Sequence, residues 1–202
     1  MRSLLAVGWV LVVSAACQRT PAELWIEPAK IVTLESKGRT VPLKAQTRDD
    51  KHVFIAWVTP QWKSSDETVA SVSSDGVVEA RSSGKFEITA THDALSITVP
   101  GQVKILGSIE IEPKGPLTMR MWTTQKFTAV VKDDRGNPLP GETVRWASAT
   151  SEFDVEQDGT VSAEASGKGE VIAKVKNIES RVKVDVPDPT RAEIARHERS
   201  QK

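Results

Sequence analysis

The feature that most constrains this sequence is a pattern of residues that occurs twice. The segment Gly-Lys-Phe-Glu-Ile-Thr-Ala at 84–90 returns as Gly-Lys-Gly-Glu-Val-Ile-Ala at 167–173, and Trp62 returns as Trp146. Three further pairs keep the same order along the chain: 26–28 with 111–113, 48–51 with 132–135, and 75–76 with 158–159. A repeat of this length can bury a hydrophobic core of its own, unlike the shorter repeats of a solenoid. The sequence therefore predicts two similar domains in tandem.

The N-terminus has the features of an export signal. Arg2 supplies a positive charge, an apolar run occupies positions 4–13, and small residues fill positions 14–16. The apolar run is too short to remain in a bilayer as a spanning helix, but its length is typical of a secretory signal. The sequence predicts a signal peptide over residues 1–16.

Cys17, the only cysteine of the chain, follows this signal directly. The sequence Ser-Ala-Ala-Cys at 14–17 resembles the lipobox of bacterial lipoproteins, in which the cysteine thiol receives diacylglycerol before cleavage ahead of it. This resemblance predicts an acylated Cys17 that anchors the chain stably in a membrane, with residues 17–22 as a tether. Because Ser14 stands where a large aliphatic residue is preferred, an ordinary cleavage that leaves Cys17 as a free N-terminus is the alternative.

The composition excludes some classes of function. The chain has 27 basic and 27 acidic residues, so its formal net charge is zero and no excess positive charge is available to bind nucleic acid. With a single cysteine, no disulfide can form within the chain. Each domain must therefore be stabilised by the packing of its core.

Short alternating segments predict β-strands in both copies. Apolar residues occupy every second position in 86–90, 127–131 and 182–186, a period that is typical of half-buried antiparallel strands. Asp-Gly pairs at 75–76 and 158–159 indicate tight turns, because glycine adopts positive φ without a steric cost. No helical period of useful length occurs before residue 189. Several short strands in copies of roughly 80 to 90 residues predict β-sandwiches.

The first copy also carries an ordered set of motifs. Residues 62–72 read Trp-Lys-Ser-Ser-Asp-Glu-Thr-Val-Ala-Ser-Val, and Asp-Gly-Val-Val follows at 75–78, ahead of the repeated glycine segment. This set resembles the bacterial Ig-like domain of group 2. The second copy keeps Trp146 and most of these motifs, but it has Ala-Thr at 149–150 where the family has Ser-Asp.

The resemblance implies a fold for the whole chain after the signal. We expect an all-β protein with two tandem immunoglobulin-like β-sandwiches, over residues 23–105 and 108–186. The repeated residues Trp62 and Trp146 are expected to fill the centres of the sandwiches, because an indole buries a large apolar area.

The resemblance also implies a class of function. Members of this family are modules of surface proteins, adhesins and carbohydrate-associated proteins, and their motifs carry no active site. Together with the predicted anchor, this implies a non-catalytic cell-envelope lipoprotein whose domains bind a protein or glycan partner or act as a spacer. The alternative is a structural accessory subunit of a larger envelope assembly. By resemblance to Gram-negative lipoproteins, Gln18 rather than Asp after the cysteine favours the outer membrane if the host is Gram-negative. Without the anchor the protein would be periplasmic or secreted.

Few residues could carry out chemistry. The three histidines lie far apart in the sequence, and no Gly-x-Ser-x-Gly motif is present. Acidic pairs at 49–50 and 133–134 recur in both copies, which raises the question of calcium binding. Calcium takes about six or more oxygen ligands, and each pair supplies too few. We interpret the pairs as turn-forming aspartates and predict no metal site, no cofactor and no catalytic residue.

The two copies differ most at one loop. The first copy has an apolar run that contains Phe54 and Trp57, whereas the second copy has a polar turn at 135–141. If exposed, these aromatic residues would form a contact patch for a partner. The favoured alternative is that strands extend through this run and bury the side chains, which is the more common arrangement in β-rich chains. The same two alternatives, an exposed contact residue or a buried one, apply to Trp122 and Trp25.

The connection between the copies and the C-terminal tail complete the organisation. Only Leu-Gly-Ser at 106–108 separates the last predicted strand of the first copy from the first of the second, which predicts limited hinge freedom. In the charged tail over 187–202, Thr190 and Glu193 have the spacing of a helix capping box, so residues 191–199 could form one or two helical turns. A disordered tail is the favoured alternative.

Overall fold

A computed structural model describes residues 19–202. The predicted signal peptide and Cys17 lie outside the described residues. Most of the described residues from 23 to 186 belong to short strands, and a single helix follows them.

The first sandwich is built from nine strands in three small sheets. The sheets have the strand orders β1-β3-β4, β5-β8-β9 and β2-β7-β6, and every paired strand within them is antiparallel. The strands are β1 (Glu23–Glu27), β2 (Thr40–Pro42), β3 (Lys44–Arg48), β4 (Phe54–Val58), β5 (Gln61–Ser64), β6 (Ala70–Val72), β7 (Val77–Ala80), β8 (Gly84–His92) and β9 (Leu95–Val103).

The second sandwich repeats this plan with nine further strands. Its sheets have the orders β10-β13, β11-β18-β17-β14 and β12-β16-β15, and the short pair β11-β18 is parallel. The strands are β10 (Leu106–Glu112), β11 (Leu117–Thr118), β12 (Thr124–Lys126), β13 (Thr128–Asp133), β14 (Arg145–Ser148), β15 (Phe153–Val155), β16 (Thr160–Ala163), β17 (Gly167–Val175) and β18 (Ile178–Val186).

Each sandwich encloses its own hydrophobic core. In β8, Phe86, Ile88 and Ala90 are buried and alternate with more accessible residues, which is the pattern predicted from the sequence. The first cluster of buried side chains draws only on residues 24–103 and the second only on residues 109–186. The predicted all-β fold with two tandem sandwiches is confirmed.

The repeated Asp-Gly pairs form the same turn in both sandwiches. Gly76 has φ +79° and Gly159 has φ +87°. Their carbonyl oxygens accept hydrogen bonds from the backbone N–H groups of Leu43 and Phe127, each at 2.8 Å. A Cβ added at Gly76 would lie 2.7 Å from the carbonyl oxygen of Leu43, and one added at Gly159 would lie 2.4 Å from that of Phe127. Both the conformation and the close backbone approach therefore require glycine.

The two repeated tryptophans differ in burial. Trp146 is 6% exposed and belongs to the second core, as predicted. Trp62 is only half-buried and packs against the side of the first core, so the expectation that it fills the centre of the sandwich is wrong. Near Trp146, the side-chain amide of Gln157 bonds to the tryptophan backbone through both its nitrogen and its oxygen. The first copy has Ser74 at this place, whose side chain is too short to span the same distance.

The recurring acidic pairs stabilise turns. The Asp49 carboxylate accepts hydrogen bonds from the backbone N–H groups of Lys51 and Val53 at 3.0 and 2.9 Å. The Asp133 carboxylate accepts the equivalent bonds from residues 135 and 137 at 2.9 and 2.8 Å. The backbone hydrogen bonds to Asp49, chiefly the one from Val53, lower the pKa of its carboxyl group below the ordinary value. The interpretation of the first aspartate of each pair as turn-forming is confirmed.

The turn that follows Asp133 also joins the two sandwiches. Only two residues separate the end of β9 from the start of β10, and Asp134 lies beside this connection. Its carboxylate accepts a hydrogen bond from the backbone N–H of Ser83 at 2.9 Å. The buried Ser83 hydroxyl in turn accepts a bond from the Ile105 N–H at 2.8 Å. Arg135 adds bonds from its guanidinium to the hydroxyl groups of residues 68 and 82 of the first sandwich.

We expect Asp134→Ala to loosen the connection between the sandwiches without unfolding either. The substitution leaves the Ser83 N–H without its carboxylate acceptor, a change that typically costs about 1–3 kcal/mol. Residual dipolar couplings should then report a broader range of orientations between the two sandwiches. Asp50→Ala is the matched control, because Asp50 is the exposed counterpart of Asp134 in the first copy. Equal couplings in all three proteins would contradict this prediction.

The charged tail forms a docked helix. Helix α1 (Arg191–Ser200) begins with the predicted capping box, in which Thr190 and Glu193 exchange hydrogen bonds. Glu193 also lies 3.8 Å from Arg120 of the second sandwich. Of the two outcomes that the sequence allows for the tail, a short helix and disorder, the structure has the helix, which the sequence could not favour because it does not reveal the surface that the helix contacts. No helix within residues 19–202 has the length and apolar composition needed to cross a membrane.

Candidate binding surface

An aromatic surface lies on the outer side of the sheet β1-β3-β4. Across this sheet, Trp25 pairs with Gln46, and Gln46 pairs with Trp57. The neighbours Leu24 and Ile26 belong to the core, and successive side chains of a strand point to opposite faces. The three paired residues therefore form a row on the face that points away from the core.

Gln46 is unusually buried for this position. It is 4% exposed although it lies on the outer face, and its amide donates a hydrogen bond to the Glu27 carboxylate at 3.1 Å. Its place between two tryptophans of the same row accounts for this burial, because large rings on both sides exclude water from a shorter side chain. The row is thus a packed layer of side chains on the outside of the sandwich.

A β-bulge brings Phe54 to the same face as Trp57. Thr47 pairs with Ala56, but the next residue of β3, Arg48, pairs with Phe54, so Ile55 is the extra residue of the bulge. Without the bulge, side chains three positions apart would point to opposite faces. With it, the rings of Phe54 and Trp57 lie 5.7 Å apart at an angle of 57°.

Both rings are accessible to solvent. Phe54 is 46% exposed and Trp57 is 54% exposed, and both belong to β4, the edge strand of its sheet. The prediction that a strand extends through this run is confirmed, but the burial expected with it is wrong. Burial fails because β4 has a neighbouring strand on one side only and these two rings face away from the core.

Trp25 contributes less accessible surface. The Arg48 guanidinium carbon lies 4.2 Å from the centre of the Trp25 ring, a cation–π contact that covers one face of the indole. Trp25 is half-buried as a result. The accessible aromatic area of this sheet is therefore concentrated at Phe54 and Trp57.

A groove of about 390 Å³ runs between Trp57 and Trp62. Its remaining walls come from the end of β4, the start of β3 and the Asp-Gly turn, and they include Lys44, Thr59 and Asp75. Lys44 and Asp75 are exposed, and neither belongs to the ion pairs found within residues 19–202. The groove thus combines two indoles with a cation, a hydroxyl group and a carboxylate.

The second sandwich uses the equivalent positions differently. By the offset of the repeats, Gly141 stands in the place of Trp57 and Thr128 in the place of Lys44. Asp158, the counterpart of Asp75, is bound by the Lys126 ammonium at 2.5 Å, and this hydrogen bond is the main reason why the pKa of Asp158 falls to about 2. In the first sandwich, Pro42 stands at the position of Lys126, so Asp75 has no lysine at the place from which Lys126 binds Asp158.

Trp122, the third predicted contact residue, lies apart from the other two in the second sandwich. Its indole stacks on the His197 ring of α1, with ring centres 4.2 Å apart and an angle of 7° between the planes. The helix therefore covers one face of this indole, although the residue remains 36% exposed. The structure brings Phe54 and Trp57 together and assigns Trp122 to the docking of the tail.

The histidines and acidic residues do not assemble a metal site in the part of the chain that the structure describes. Over residues 19–202, no group of three or more His, Cys, Asp or Glu side chains could hold a metal ion. His52 bonds to Glu23 at 2.8 Å, and the ring of His197 stacks on Trp122.

Sequence reasoning missed three residues of the groove, Trp62, Lys44 and Asp75. The repeated motif around Trp62 predicts a buried indole in the core and therefore does not indicate a groove. A comparison of the two copies identifies part of the groove, because Lys44 and Trp57 have no equivalent in the second copy.

Comparison with known proteins yields solved structures and one family. No curated protein matches the chain. Domains 1-6 of the surface layer protein SbsC align at 21% identity over 85% of this chain and 29% of theirs, with a TM-score of 0.39. The Escherichia coli adhesin FdeC aligns at 13% identity over 81% of this chain and 62% of its own, with a TM-score of 0.47. Human protocadherin-24 EC1-2 aligns at 12% identity over 85% of this chain and 100% of its own, with a TM-score of 0.40.

The family match covers the first sandwich from residue 29 onward, without its first strand β1. The first 28 residues and the second sandwich lie outside the matched range. Residues 29–103 match the family of the bacterial Ig-like domain (group 2).

Proposed function

We propose that this protein is a non-catalytic lipoprotein of the cell envelope whose first sandwich binds a partner at the surface. The observation that supports this is the exposed aromatic pair Phe54 and Trp57, at a position where the second sandwich has no aromatic residue. Exposed aromatic clusters of this kind are unusual on a surface without a partner, and tryptophan is enriched among the residues that dominate binding energy.

The proposed attachment is the acylated Cys17, after removal of residues 1–16. Several acyl chains on this residue would hold the protein stably in a membrane. The first sandwich would lie close to the lipid surface, because Arg19 and Ala22 contact Asp49 and Arg48 of that sandwich. The outer membrane is the proposed location in a Gram-negative host.

The anchor is tested by mass spectrometry of the mature N-terminus from a host that acylates lipoproteins. We expect a diacylglycerol-modified peptide that begins at Cys17, and we expect Cys17→Ser to move the protein out of the membrane fraction. An unmodified peptide that begins at Cys17 would refute the anchor and leave the binding role intact.

The binding role is tested by mild crosslinking in intact cells followed by recovery of the protein. We expect Trp57→Ser to weaken capture of the partner by about thirtyfold, because loss of a central aromatic contact typically costs about 2 kcal/mol or more. Trp122→Ser is the matched control, since it removes an indole of the second sandwich. Equal recovery with wild type and Trp57→Ser would contradict the proposal.

A structural accessory role is the second candidate. The observation that favours it is the bonded connection at Asp134 and Arg135, which restricts the orientation of the sandwiches as a spacer requires. A stable envelope partner that survives Trp57→Ser but is lost with Asp134→Ala would support the spacer role over the aromatic contact.

A further inference from the structure

We propose that the groove between Trp57 and Trp62 binds a neutral oligosaccharide. This inference rests on the proposed binding function of the first sandwich and names the chemical class of its ligand. It is carried by the composition of the groove: two indoles form its walls, and Lys44, Thr59 and Asp75 supply polar groups at its margin.

The indoles match the apolar part of a sugar. A pyranose ring presents a face of C–H groups, and such a face packs well against the flat surface of an indole. Trp57 is more than half exposed, and Trp62 is less buried than its counterpart Trp146, so both rings can contribute surface to the groove. Aromatic side chains contribute more contact area than any other type at low cost in conformational entropy.

The polar groups match the hydroxyl groups at the edge of a sugar. An ammonium group such as that of Lys44 only donates hydrogen bonds, and a carboxylate such as that of Asp75 only accepts them. A hydroxyl group can do both, so a neutral polyol satisfies the two charges at once. For an anionic ligand the attraction of Lys44 is opposed by the repulsion of Asp75, and for a cationic ligand the reverse holds, so the groove has no net charge preference and suits a neutral ligand.

The size of the groove favours a small ligand over a protein. Its volume of about 390 Å³ lies at the lower end of the range for small-molecule sites, about 300–1,000 Å³. A stable protein interface is instead an extended surface of about 800 Å² on each partner. Phe54, with its ring 5.7 Å from that of Trp57, provides a second stacking position beyond the groove, so a chain of several sugar units fits better than a single unit.

The second sandwich provides an internal comparison. Its equivalent positions hold Gly141 and Thr128 instead of a tryptophan and a lysine, and the Asp158 carboxylate is already bound by Lys126. The proposal therefore assigns the saccharide site to the first sandwich.

The test is a titration of the purified protein with maltohexaose, cellohexaose and chitohexaose, observed through the indole N–H signals in ¹H–¹⁵N spectra. We expect at least one of these probes to shift the signals of Trp57 and Trp62 in a saturable manner and to leave that of Trp146 unchanged. Trp57→Ala should weaken binding by about tenfold, the loss typical of a well-packed aromatic contact. Asp75→Asn should weaken it less, because an amide can still accept one hydrogen bond.

Trp122→Ala is the control, and it should bind like wild type. A well-dispersed Trp62 signal in the unliganded Trp57→Ala and Asp75→Asn variants shows that the first sandwich remains folded, and the Trp146 signal shows the same for the second sandwich of Trp122→Ala. If all three hexasaccharides leave the signals of Trp57 and Trp62 unmoved, the proposal is overturned. Tighter binding of hexagalacturonic acid than of the neutral probes would also overturn it.

These outcomes separate the saccharide proposal from the proposed function. A protein partner whose capture depends on Trp57, combined with no response to the saccharides, would support the binding role and refute the saccharide site. Saccharide binding that persists unchanged in Trp57→Ala would refute the site at this groove.

Discussion

Phe127→Ala is expected to unfold the second sandwich under conditions in which the first remains folded. Phe127 has no exposed surface and is the largest of the fully buried side chains within residues 19–202. Truncation of a buried phenylalanine typically costs about 3–5 kcal/mol, through lost burial and the cavity that remains. A domain of this size has a total stability of about 5–15 kcal/mol, so a large fraction of the stability of the second sandwich would be lost.

The measurement is thermal and urea unfolding with a separate probe for each sandwich. The indole signal of Trp146 reports on the second core, and that of Trp62 reports on the side of the first. In Phe127→Ala, we expect the Trp146 transition to move to much lower temperature and urea concentration. The Trp62 transition should move little, because the two clusters of buried residues share no member.

Phe54→Ala is the matched control, because it makes the same chemical change at an exposed ring. Its effect on unfolding should be small, since surface substitutions usually change stability by about 0.5 kcal/mol or less. If Phe127→Ala lowers both transitions equally, the two sandwiches unfold as one cooperative unit and the prediction of independent cores fails.

The sequence repeat predicts the fold well because it reports local properties. The Asp-Gly pairs place glycine where the backbone needs positive φ, and this need is met in the same way at Gly76 and Gly159. The alternation in 86–90 likewise reports which side chains point inward, because the period of a strand is two. Such features depend only on residues that are close together in the chain.

The repeat predicts burial less well, because burial depends on neighbours from other strands. Trp62 and Trp146 occupy equivalent positions, but only Trp146 has a glutamine that bonds across its backbone. Only Trp62 lines an open groove, which it shares with the exposed indole of Trp57. Equivalence of position therefore does not imply equivalence of environment.

The aromatic surface depends on the bulge at Ile55, which a period of two cannot predict. The extra residue places Phe54 and Trp57 on one face, although their spacing alone assigns them to opposite faces. The tail shows the same limit. Its capping box is local and was predicted, whereas the stacking of His197 on Trp122 depends on tertiary structure.

Gly159→Ala is expected to destabilise the second sandwich far more than Gly141→Ala, although both glycines have similar conformations. Their φ angles are +87° and +91°, so alanine pays a similar conformational cost of about 1–2 kcal/mol at each. At Gly141, an added Cβ meets nothing within 4 Å. At Gly159, it would lie 2.4 Å from the carbonyl oxygen of Phe127, which is backbone and cannot rotate away.

The close contact adds to the conformational cost at Gly159. The Gly159 carbonyl accepts the Phe127 N–H, so any shift of the turn that relieves the overlap weakens this hydrogen bond and displaces Phe127 in the core. Overpacking of this kind typically costs about 1–3 kcal/mol, which brings the expected loss for Gly159→Ala to about 3 kcal/mol or more. The difference in the free energy of unfolding between the two variants, measured by urea titration, isolates the steric part. Equal losses would mean that the turn moves freely, and the close approach between Gly159 and Phe127 would then have no role in stabilising the sandwich.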